Sequence, residues 1–301
     1  MSAPESHTGD EVLGVPVEGA RRESRWHLSD TALLFLLVLC AFLPYANTLF
    51  NAFVYDDNTQ VLNNPYIQSF RHLREIFTTT VWSYVGVQGV TNYYRPMMTL
   101  GYLICFQVFG PLAYGFHLAN VLLHVGVVLV LFLLTGRMFG NRTLAFVAAM
   151  LFALHPVHTE SVAWVAAVTD LELTFFYLLT FWCFLGLARP GGGRSAPMQL
   201  AVVASFVLTL LSKEQALTLP LLATVYEHFY RDDRKQTTHA QKFSRYGFLW
   251  LLAGAYLLFR IRFFGAIAPV LQISNLTWTE TALSAVALVG QYLGKLLWPV
   301  E

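Results

Sequence analysis

Long apolar runs separated by short polar segments dominate this sequence. The first run, residues 31–50, has roughly 20 residues, which is enough for a helix to cross a bilayer. Further apolar runs of similar character occupy residues 116–135, 143–160, 168–187, 198–212, 216–230, 246–264 and 281–298. The pattern therefore predicts an all-α polytopic membrane protein with about seven to eight transmembrane helices.

The composition agrees with that prediction. Apolar residues make up 56% of the chain and charged residues 12%, respectively above and below the values of soluble proteins. The net charge of +1 argues against a nucleic-acid partner. Cys40, Cys105 and Cys183 lie inside apolar runs without metal-ligand spacing, so we interpret them as packing residues.

The polar segment 1–29 has no apolar core, so we expect it to be disordered or peripheral. Arg21, Arg22 and Arg25 precede the first span, and the positive-inside rule then places the N-terminus in the cytoplasm. No small-residue cleavage site follows the first run, which favours a membrane anchor over a signal peptide.

Cationic residues recur in every second loop when the chain is threaded through these spans. The loops concerned hold Arg137, Arg142, Arg189, Arg194, Arg231, Arg234, Lys235, Lys242 and Arg245. The rule assigns those loops to the cytoplasm. The loops between them then lie on the periplasmic, luminal or extracellular face.

The first non-cytoplasmic loop is long and covers residues 51–115. Its segments 64–82 and 96–110 mix apolar, aromatic and charged residues, as is typical of helices that lie along the membrane interface. Segment 96–110 could instead be a short re-entrant or spanning helix. An even number of additional spans would leave the predicted topology unchanged.

Polar residues at the non-cytoplasmic ends of the spans are the strongest functional signal. Carboxylates and imidazoles are costly close to a bilayer, and they mark a functional site by default. The predicted topology places six of them on one face: Asp56, Asp57, His155, His158, Glu160 and Asp170.

Asp56 and Asp57 directly follow the first span. Two adjacent carboxylates can raise one pKa toward neutrality, which suits a general base, and they could also bind a metal ion. A solvated helix end is the alternative interpretation.

The motif His155-x-x-His158-x-Glu160 resembles metal-ligand spacing, but Pro156 interrupts any helix there. We therefore favour hydrogen bonding to a substrate phosphate or hydroxyl over zinc binding, with packing at a polar helix end as the alternative. The sequence requires no cofactor, and it does not support a divalent metal.

His117, Asn120 and His124 recur at i, i+3 and i+7 on an apolar helix. Such a stripe must face the protein interior or a water-filled cavity. Interhelical hydrogen bonding is an equal alternative to a role in the site.

Cationic side chains near the same face suit a lipid-linked phosphate, because guanidinium groups pair with phosphate oxygens. The candidates are Arg95, Lys213 beside Glu214 in a tight turn, and Arg262 near a helix end. We prefer Arg262 to Arg260 because it lies beside the predicted boundary. Snorkelling to lipid headgroups is the alternative.

The ordered set of motifs resembles one family, the transmembrane O-mannosyltransferases with C-terminal tetratricopeptide repeats, together with their bacterial relatives. The resemblance covers roughly residues 30–301. It rests on Tyr55-Asp56-Asp57 with Asn63-Asn64, Tyr94-Arg95-Pro96, His117-x-x-Asn120-x-x-x-His124, Leu154-His155-Pro156-x-His158-x-Glu160 and Ser212-Lys213-Glu214.

The resemblance implies a GT-C glycosyltransferase fold over residues 30–301. It implies a sugar, usually mannose, on a polyprenyl- or dolichyl-phosphate carrier, and transfer to Ser or Thr of an acceptor protein with inversion. The catalytic acidic residue of the first loop then corresponds to Asp56 or Asp57, and we favour Asp56. Donor contacts are expected from Arg95, His155, His158, Glu160, Lys213, Glu214 and Arg262.

The sequence departs from the family pattern in two ways. Val168 stands where relatives usually have a basic residue, and Glu172 stands where they tend to have an apolar one. No tetratricopeptide period is present, so we expect a fragment truncated at its C-terminus. The rival functions are a transporter or flippase, which would hold ionisable groups near the midplane, and a non-catalytic scaffold.

Overall fold

The computed structural model describes residues 30–86, 92–187, 196–231, 233–266 and 277–299. Within these ranges the regular structure is helical, and no strand occurs. The α-helices are α1 (Asp30–Phe42), α2 (Leu73–Thr78), α3 (Pro96–Phe109), α4 (Ala113–Phe139), α5 (Arg142–Leu154), α6 (Thr159–Ala163), α7 (Val168–Gly186), α8 (Ala196–Ser212), α9 (Leu219–Val225), α10 (His239–Phe264) and α11 (Trp278–Leu297).

Four helical segments of the described chain are long and apolar enough to cross a membrane: Thr31–Phe50, Ala113–Phe139, Val165–Gly186 and His239–Phe264. A bent pair, Arg142–Leu154 with Pro156–Ala163, passes the same test as a fifth. The chain is therefore an all-α, multi-pass membrane protein, as the apolar pattern predicts. A total of seven to eight spans stays a prediction.

The fifth segment bends by 51° at its break. Helix α5 ends at Leu154, and a short 3₁₀ turn, Pro156–His158, leads into α6. Proline has no backbone N–H to donate and its ring crowds the preceding turn, so a helix cannot run straight through Pro156. The bend carries Glu160 out of the line of α5.

Two predicted spans differ in detail from the structure. The run 216–230 folds as a 3₁₀ segment, then α9, then a π-helical turn, so it is not one regular helix. Pro220 lies at the start of α9, where its missing N–H costs least. Helix α11 matches the predicted run 281–298, but the side chains of residues 279–299 are all exposed in this structure.

The first loop is folded onto the membrane helices. Predicted segment 64–82 forms 3₁₀ turns and α2, and predicted segment 96–110 forms α3. Met98, Tyr102 and Leu103 of α3 share one buried cluster with Val61 and Ile67 of the loop. Burial of these apolar side chains holds the loop against the bundle.

Helix α7 lies at the centre of the bundle, where it packs against α4 on one side and α8 on the other. Phe181 and Phe184 of α7 meet Phe206 of α8 and Leu249 of α10 in the largest described buried cluster. This packing fixes the start of α7 beside the end of α8, where the candidate site forms.

The two ends of α10 carry different polar clusters. Near its start, Arg245 Nη1 lies 3.1 Å from Glu227 Oε2, and Glu227 also pairs with Arg231. Arg260 lies 15 residues further on, which is about 22 Å along a helix. The cationic loop and the candidate site therefore lie at opposite ends of α10.

Candidate functional site

A cavity of about 510 Å³ lies where the first loop meets the starts of α3, α6 and α7 and the end of α8. Five residues predicted for the site line it: Asp56, Arg95, Glu160, Asp170 and Lys213. They come from five separate parts of the sequence. The cavity therefore combines three carboxylates and two cations in one polar chamber.

The two adjacent aspartates point in different directions. Asp57 is 1% exposed, whereas Asp56 is exposed and lines the cavity. The Asp57 carboxylate accepts a 3.0 Å hydrogen bond from Val54 N at Oδ2 and a 2.9 Å bond from Ala166 N at Oδ1. Tyr55, just before the pair, has φ of 49°, a left-handed conformation that is uncommon for a residue with a side chain.

Burial raises the pKa of Asp57 above its ordinary value of 3.8. The hydrogen bonds from Val54 and Ala166 act in the opposite direction, because they stabilise the ionised form. Asp57 is thus a buried anchor between the first loop and the start of α7. Asp56 is left free to face the cavity.

Lys213 and Asp170 form an ion pair across the end of α8 and the first turn of α7. Lys213 has an extended backbone immediately after Ser212, the last residue of α8. Its side chain is 16% exposed and that of Asp170 is 46% exposed. The pair is therefore accessible from the cavity, which both residues line.

Glu214 lies between two guanidinium groups. Its Oε1 is 3.2 Å from Arg95 Nη2, and its Oε2 is 3.9 Å from Arg260 Nη1. Arg260 also donates to Tyr256 Oη and to the carbonyl oxygen of Asn92, both at 3.3 Å. This network supports Arg95, whose guanidinium also lies 4.8 Å from the centre of the Tyr93 ring.

The structure places Arg260, and not the preferred Arg262, in this network. Arg260 is completely buried and Arg262 is exposed, and neither of them lines the cavity. The sequence signal was available, because a charge deeper in an apolar helix must find its partners inside the protein. The role of Arg262 in donor binding stays a prediction.

The residues of the motif around Pro156 lie in different surroundings. Glu160 lines the cavity, whereas His155 Nε2 lies 2.9 Å from the carbonyl oxygen of Leu296 in α11. The His158 ring lies 4.1 Å from the Phe152 ring, centre to centre. Among the described residues, no group of three or more His, Cys, Asp or Glu is placed to hold a metal ion.

The polar stripe of α4 faces the protein interior. His117, Asn120 and His124 are each at most 1% exposed. The Asn120 amide donates to the carbonyl oxygen of Trp164 at 3.0 Å, and His124 Nε2 lies 3.5 Å from that of Ala153. For Asn120 and His124 these contacts favour interhelical bonding over the cavity, which none of the three lines.

Several further residues line the cavity without having been predicted. They include Gln60, Trp82, Tyr93, Ser161, Trp164, Thr169 and Tyr292. Gln60 Oε1 and Trp164 Nε1 are buried and have no hydrogen-bond partner among the described residues. Their positions depend on how the first loop folds back, which no local pattern reveals.

Comparison with known proteins gives a consistent family. The chain is 33% identical over 219 residues to "Protein O-mannosyl-transferase TMTC1" of Mus musculus, covering 69% of this chain and 23% of the relative. The human protein of that name is 34% identical over 208 residues, with 64% and 23% covered. "Protein O-mannosyl-transferase Tmtc1" of Drosophila melanogaster is 34% identical over 185 residues, with 60% and 21% covered.

The chain thus spans about a quarter of the length of these curated relatives or slightly less, by the 23% and 21% covered. No family model and no solved structure matches it. All three relatives carry the same family name, protein O-mannosyl-transferase. The family resemblance is therefore confirmed, and the chain is a relative of the protein O-mannosyl-transferases.

Proposed function

We propose that this chain is the membrane-embedded catalytic part of a protein O-mannosyltransferase with a GT-C fold, extending over residues 30–301. It moves mannose from a polyprenyl- or dolichyl-phosphate carrier to a Ser or Thr hydroxyl of an acceptor protein, with inversion. The observation that carries this proposal is the placement of Asp56, exposed in a cavity that also holds Lys213 and Arg95.

Asp56 is the general base of the proposed reaction. Its carboxylate takes the proton from the acceptor hydroxyl as the hydroxyl oxygen bonds to the anomeric carbon. The bond between that carbon and the carrier phosphate oxygen breaks, and the phosphate leaves with the electron pair. A positioned base typically contributes about 10²–10⁴-fold to such a step. A single displacement inverts the sugar carbon.

Lys213 and Arg95 stabilise the departing phosphate. Each now pairs with a carboxylate, Lys213 with Asp170 and Arg95 with Glu214. A phosphate monoester presents more acceptor oxygens than one carboxylate, so it can displace or share these partners. Glu214 and the buried Arg260 then keep Arg95 in place while the phosphate binds.

The remaining predicted residues act around this centre. Glu160 and Asp170 line the cavity and can accept hydrogen bonds from sugar hydroxyls. His155 and His158 position the bend at Pro156 from which Glu160 projects, so we assign them a supporting role. Trp82, Tyr93 and Trp164 supply flat apolar walls of the kind that pack against sugar rings.

The membrane orientation belongs to the same proposal. The N-terminus and the cationic loop around Arg234 lie in the cytoplasm, and the cavity opens on the periplasmic, luminal or extracellular face. The 15-residue separation of Arg245 and Arg260 along α10 supports two opposite faces. A carrier lipid held in the membrane can then present its phosphate at the cavity.

The decisive experiment measures mannose transfer by the full chain in vesicles that contain polyprenyl-phosphate-mannose and a Ser/Thr-rich acceptor protein. Asp56→Asn keeps the shape of the side chain and removes the proton acceptor, so we expect about a 10²–10⁴-fold loss of turnover. Donor binding should stay within about 2-fold, because the phosphate contacts are unchanged. Wild-type turnover in Asp56→Asn would refute the assignment of the base.

A further inference from the structure

A second cavity, of about 390 Å³, lies between α3, α4 and α7. Its volume lies in the range of small-molecule sites, about 300–1,000 Å³. Most of the residues that line it are apolar. It is distinct from the cavity beside Asp56, because Thr169 and Asp170 face that cavity whereas Val168 and Glu172, on the same helix, face this one.

Glu172 is the unusual residue of this cavity. It is 6% exposed, and its Oε2 has no hydrogen-bond partner among the described residues. Its other oxygen, Oε1, lies against Gly101, where an added Cβ would be only 3.2 Å away. Since Gly101 and Glu172 both line the cavity, the carboxyl group forms part of its wall.

The other two polar side chains of the wall already have partners. The Tyr102 hydroxyl donates to the carbonyl oxygen of Val165 at 3.1 Å, and the Asn120 amide donates to that of Trp164 at 3.0 Å. The Glu172 carboxyl is therefore the polar group of the wall that can still form a hydrogen bond. A buried polar group without a partner costs free energy, which an occupant with a matching group would recover.

One wall of the cavity reaches the exposed surface of the membrane-spanning helix α4. Leu122, in its wall, is 54% exposed on the membrane-spanning helix α4, and Ile104 on the adjacent α3 is 51% exposed. We therefore expect an occupant to arrive from the bilayer and to be mostly apolar. At Gly126 an added Cβ would lie 3.0 Å from the Phe175 ring, so this glycine allows the ring to pack close to α4.

We propose that this cavity binds a membrane-soluble amphiphile whose polar head is a single hydroxyl group, with Glu172 as the hydrogen-bond partner of that hydroxyl. A hydroxyl can donate to an ionised carboxylate, and it can both donate to and accept from a protonated carboxyl. An ammonium head would suit only the ionised form. A methyl ether has no hydrogen to donate.

This site is independent of the mannose transfer proposed above, so its test needs no activity measurement. The purified full chain is placed in nanodiscs of dioleoylphosphatidylcholine with a 16-carbon primary alcohol that carries a diazirine near its hydroxyl end. After photolysis, labelled peptides are identified by mass spectrometry. We expect labels on the segments that contain Gly101–Cys105, Ala119–Gly126 and Val168–Phe175, and we expect unlabelled hexadecanol to compete for them.

Variants distinguish recognition of the probe's hydroxyl group from simple partitioning of the probe into the bilayer. Glu172→Leu should lower labelling about 2- to 12-fold, the effect of one lost hydrogen bond, while Glu172→Gln should retain most of it. Ala119→Phe, which fills the cavity, should remove labelling; Leu133→Phe, an exposed position on α4 outside the cavity, should not. Each variant's melting temperature shows whether it is folded.

Three outcomes would overturn the proposal. Equal labelling by the methyl ether of the same probe would mean that the hydroxyl is not recognised. Preferred labelling by the corresponding primary amine would identify a cation site. Labelling unchanged in both Glu172→Leu and Ala119→Phe, with both variants folded, would place the probe elsewhere.

Discussion

The Asp57 carboxylate accepts a 2.9 Å hydrogen bond from the backbone N–H of Ala166, and these two residues are 109 positions apart in the sequence. Through the same side chain, Val54 N is bound at 3.0 Å. The acidic turn of the first loop is thereby fixed to the start of α7, which also carries Asp170. This anchor holds the neighbouring residue, Asp56, at the cavity.

Replacing Asp57 should therefore act mainly on the stability of the fold, and less directly on the transfer reaction. Asp57→Ala leaves the N–H groups of Val54 and Ala166 without their acceptor. Both hydrogen bonds are partly buried, so we expect about 0.5–1.5 kcal/mol of destabilisation for each bond lost. Thermal unfolding in detergent, followed by intrinsic fluorescence, measures the loss. Asp56→Asn is the matched control, since an exposed side chain should change stability by about 0.5 kcal/mol or less.

The contribution of Asp57 to the free energy of unfolding also depends on pH. Because burial raises its pKa above 3.8, the folded protein binds this proton more tightly than the unfolded chain does. Stability relative to Asp57→Asn should therefore fall as pH rises from 3.8 through the raised folded-state pKa, and it should be constant above that value. Melting temperatures of both proteins between pH 3.5 and 8 test this. A difference that grows with pH would contradict it.

Arg260 and Arg262 make a second matched pair. Arg260→Ala removes a buried guanidinium that donates to Tyr256 and Asn92, while Glu214 keeps its pair with Arg95. We expect a loss of about 1.5–3 kcal/mol, the contribution of a hydrogen bond from a charged group. Arg262 is exposed, and Arg262→Ala should change stability by about 0.5 kcal/mol or less. Thermal unfolding compares the two variants.

Donor binding distinguishes the same two arginines functionally. The sequence alone predicts a 10- to 100-fold loss of donor affinity for Arg262→Ala, from a phosphate contact of about 1.5–3 kcal/mol. The structure leads us to expect no loss there. We expect reduced affinity instead for Arg260→Lys, which keeps a charge but cannot hold Tyr256 and Asn92 in the same geometry. Binding of polyprenyl-phosphate-mannose by each folded variant decides between the two.

The sequence predicted the all-α membrane fold because each transmembrane helix is marked by its own continuous run of apolar residues. The run 168–187 became Val168–Gly186, and the break at Pro156 follows from the chemistry of proline. It also predicted five residues that line the cavity, because charged groups near a bilayer are costly wherever the chain places them.

What the sequence could not give are the relationships between distant segments. The partner of Asp57 is a backbone group 109 residues away, and the choice of Arg260 over Arg262 depends on which face of α10 meets Glu214. The sequence marks Glu172 only as a departure from the family pattern. Its significance depends on Gly101, which lies on another helix.

Lys213 tests the phosphate assignment directly. Lys213→Gln should weaken binding of the mannosyl-phosphate donor by about 10- to 100-fold, since one charge-assisted contact is lost. Asp170→Asn should leave affinity equal or higher, because the amide keeps an oxygen that can accept from sugar hydroxyls and removes the negative charge that competes for the ammonium group. Lys235→Gln, in the exposed turn at the other end of the bundle, is the control. Equal affinities in Lys213→Gln and wild type would remove Lys213 from the donor site.

We expect the two polar ends of the helix bundle to lie on opposite sides of the membrane. If the cationic loops are cytoplasmic, Glu160 at the cavity and Arg234 in the loop before α10 lie on opposite sides of the membrane. Cys40, Cys105 and Cys183 are first replaced by alanine, because they are unpaired, and a single cysteine is then placed at position 160 or at position 234. A membrane-impermeant maleimide should label position 160 in intact cells or sealed, correctly oriented vesicles. It should label position 234 only after permeabilisation.

The reverse pattern would invert the topology and place the cavity in the cytoplasm, where a donor phosphate presented from the outer face could not reach Lys213. Labelling of both positions without permeabilisation would mean that the helices between residues 160 and 234 do not cross the membrane an odd number of times.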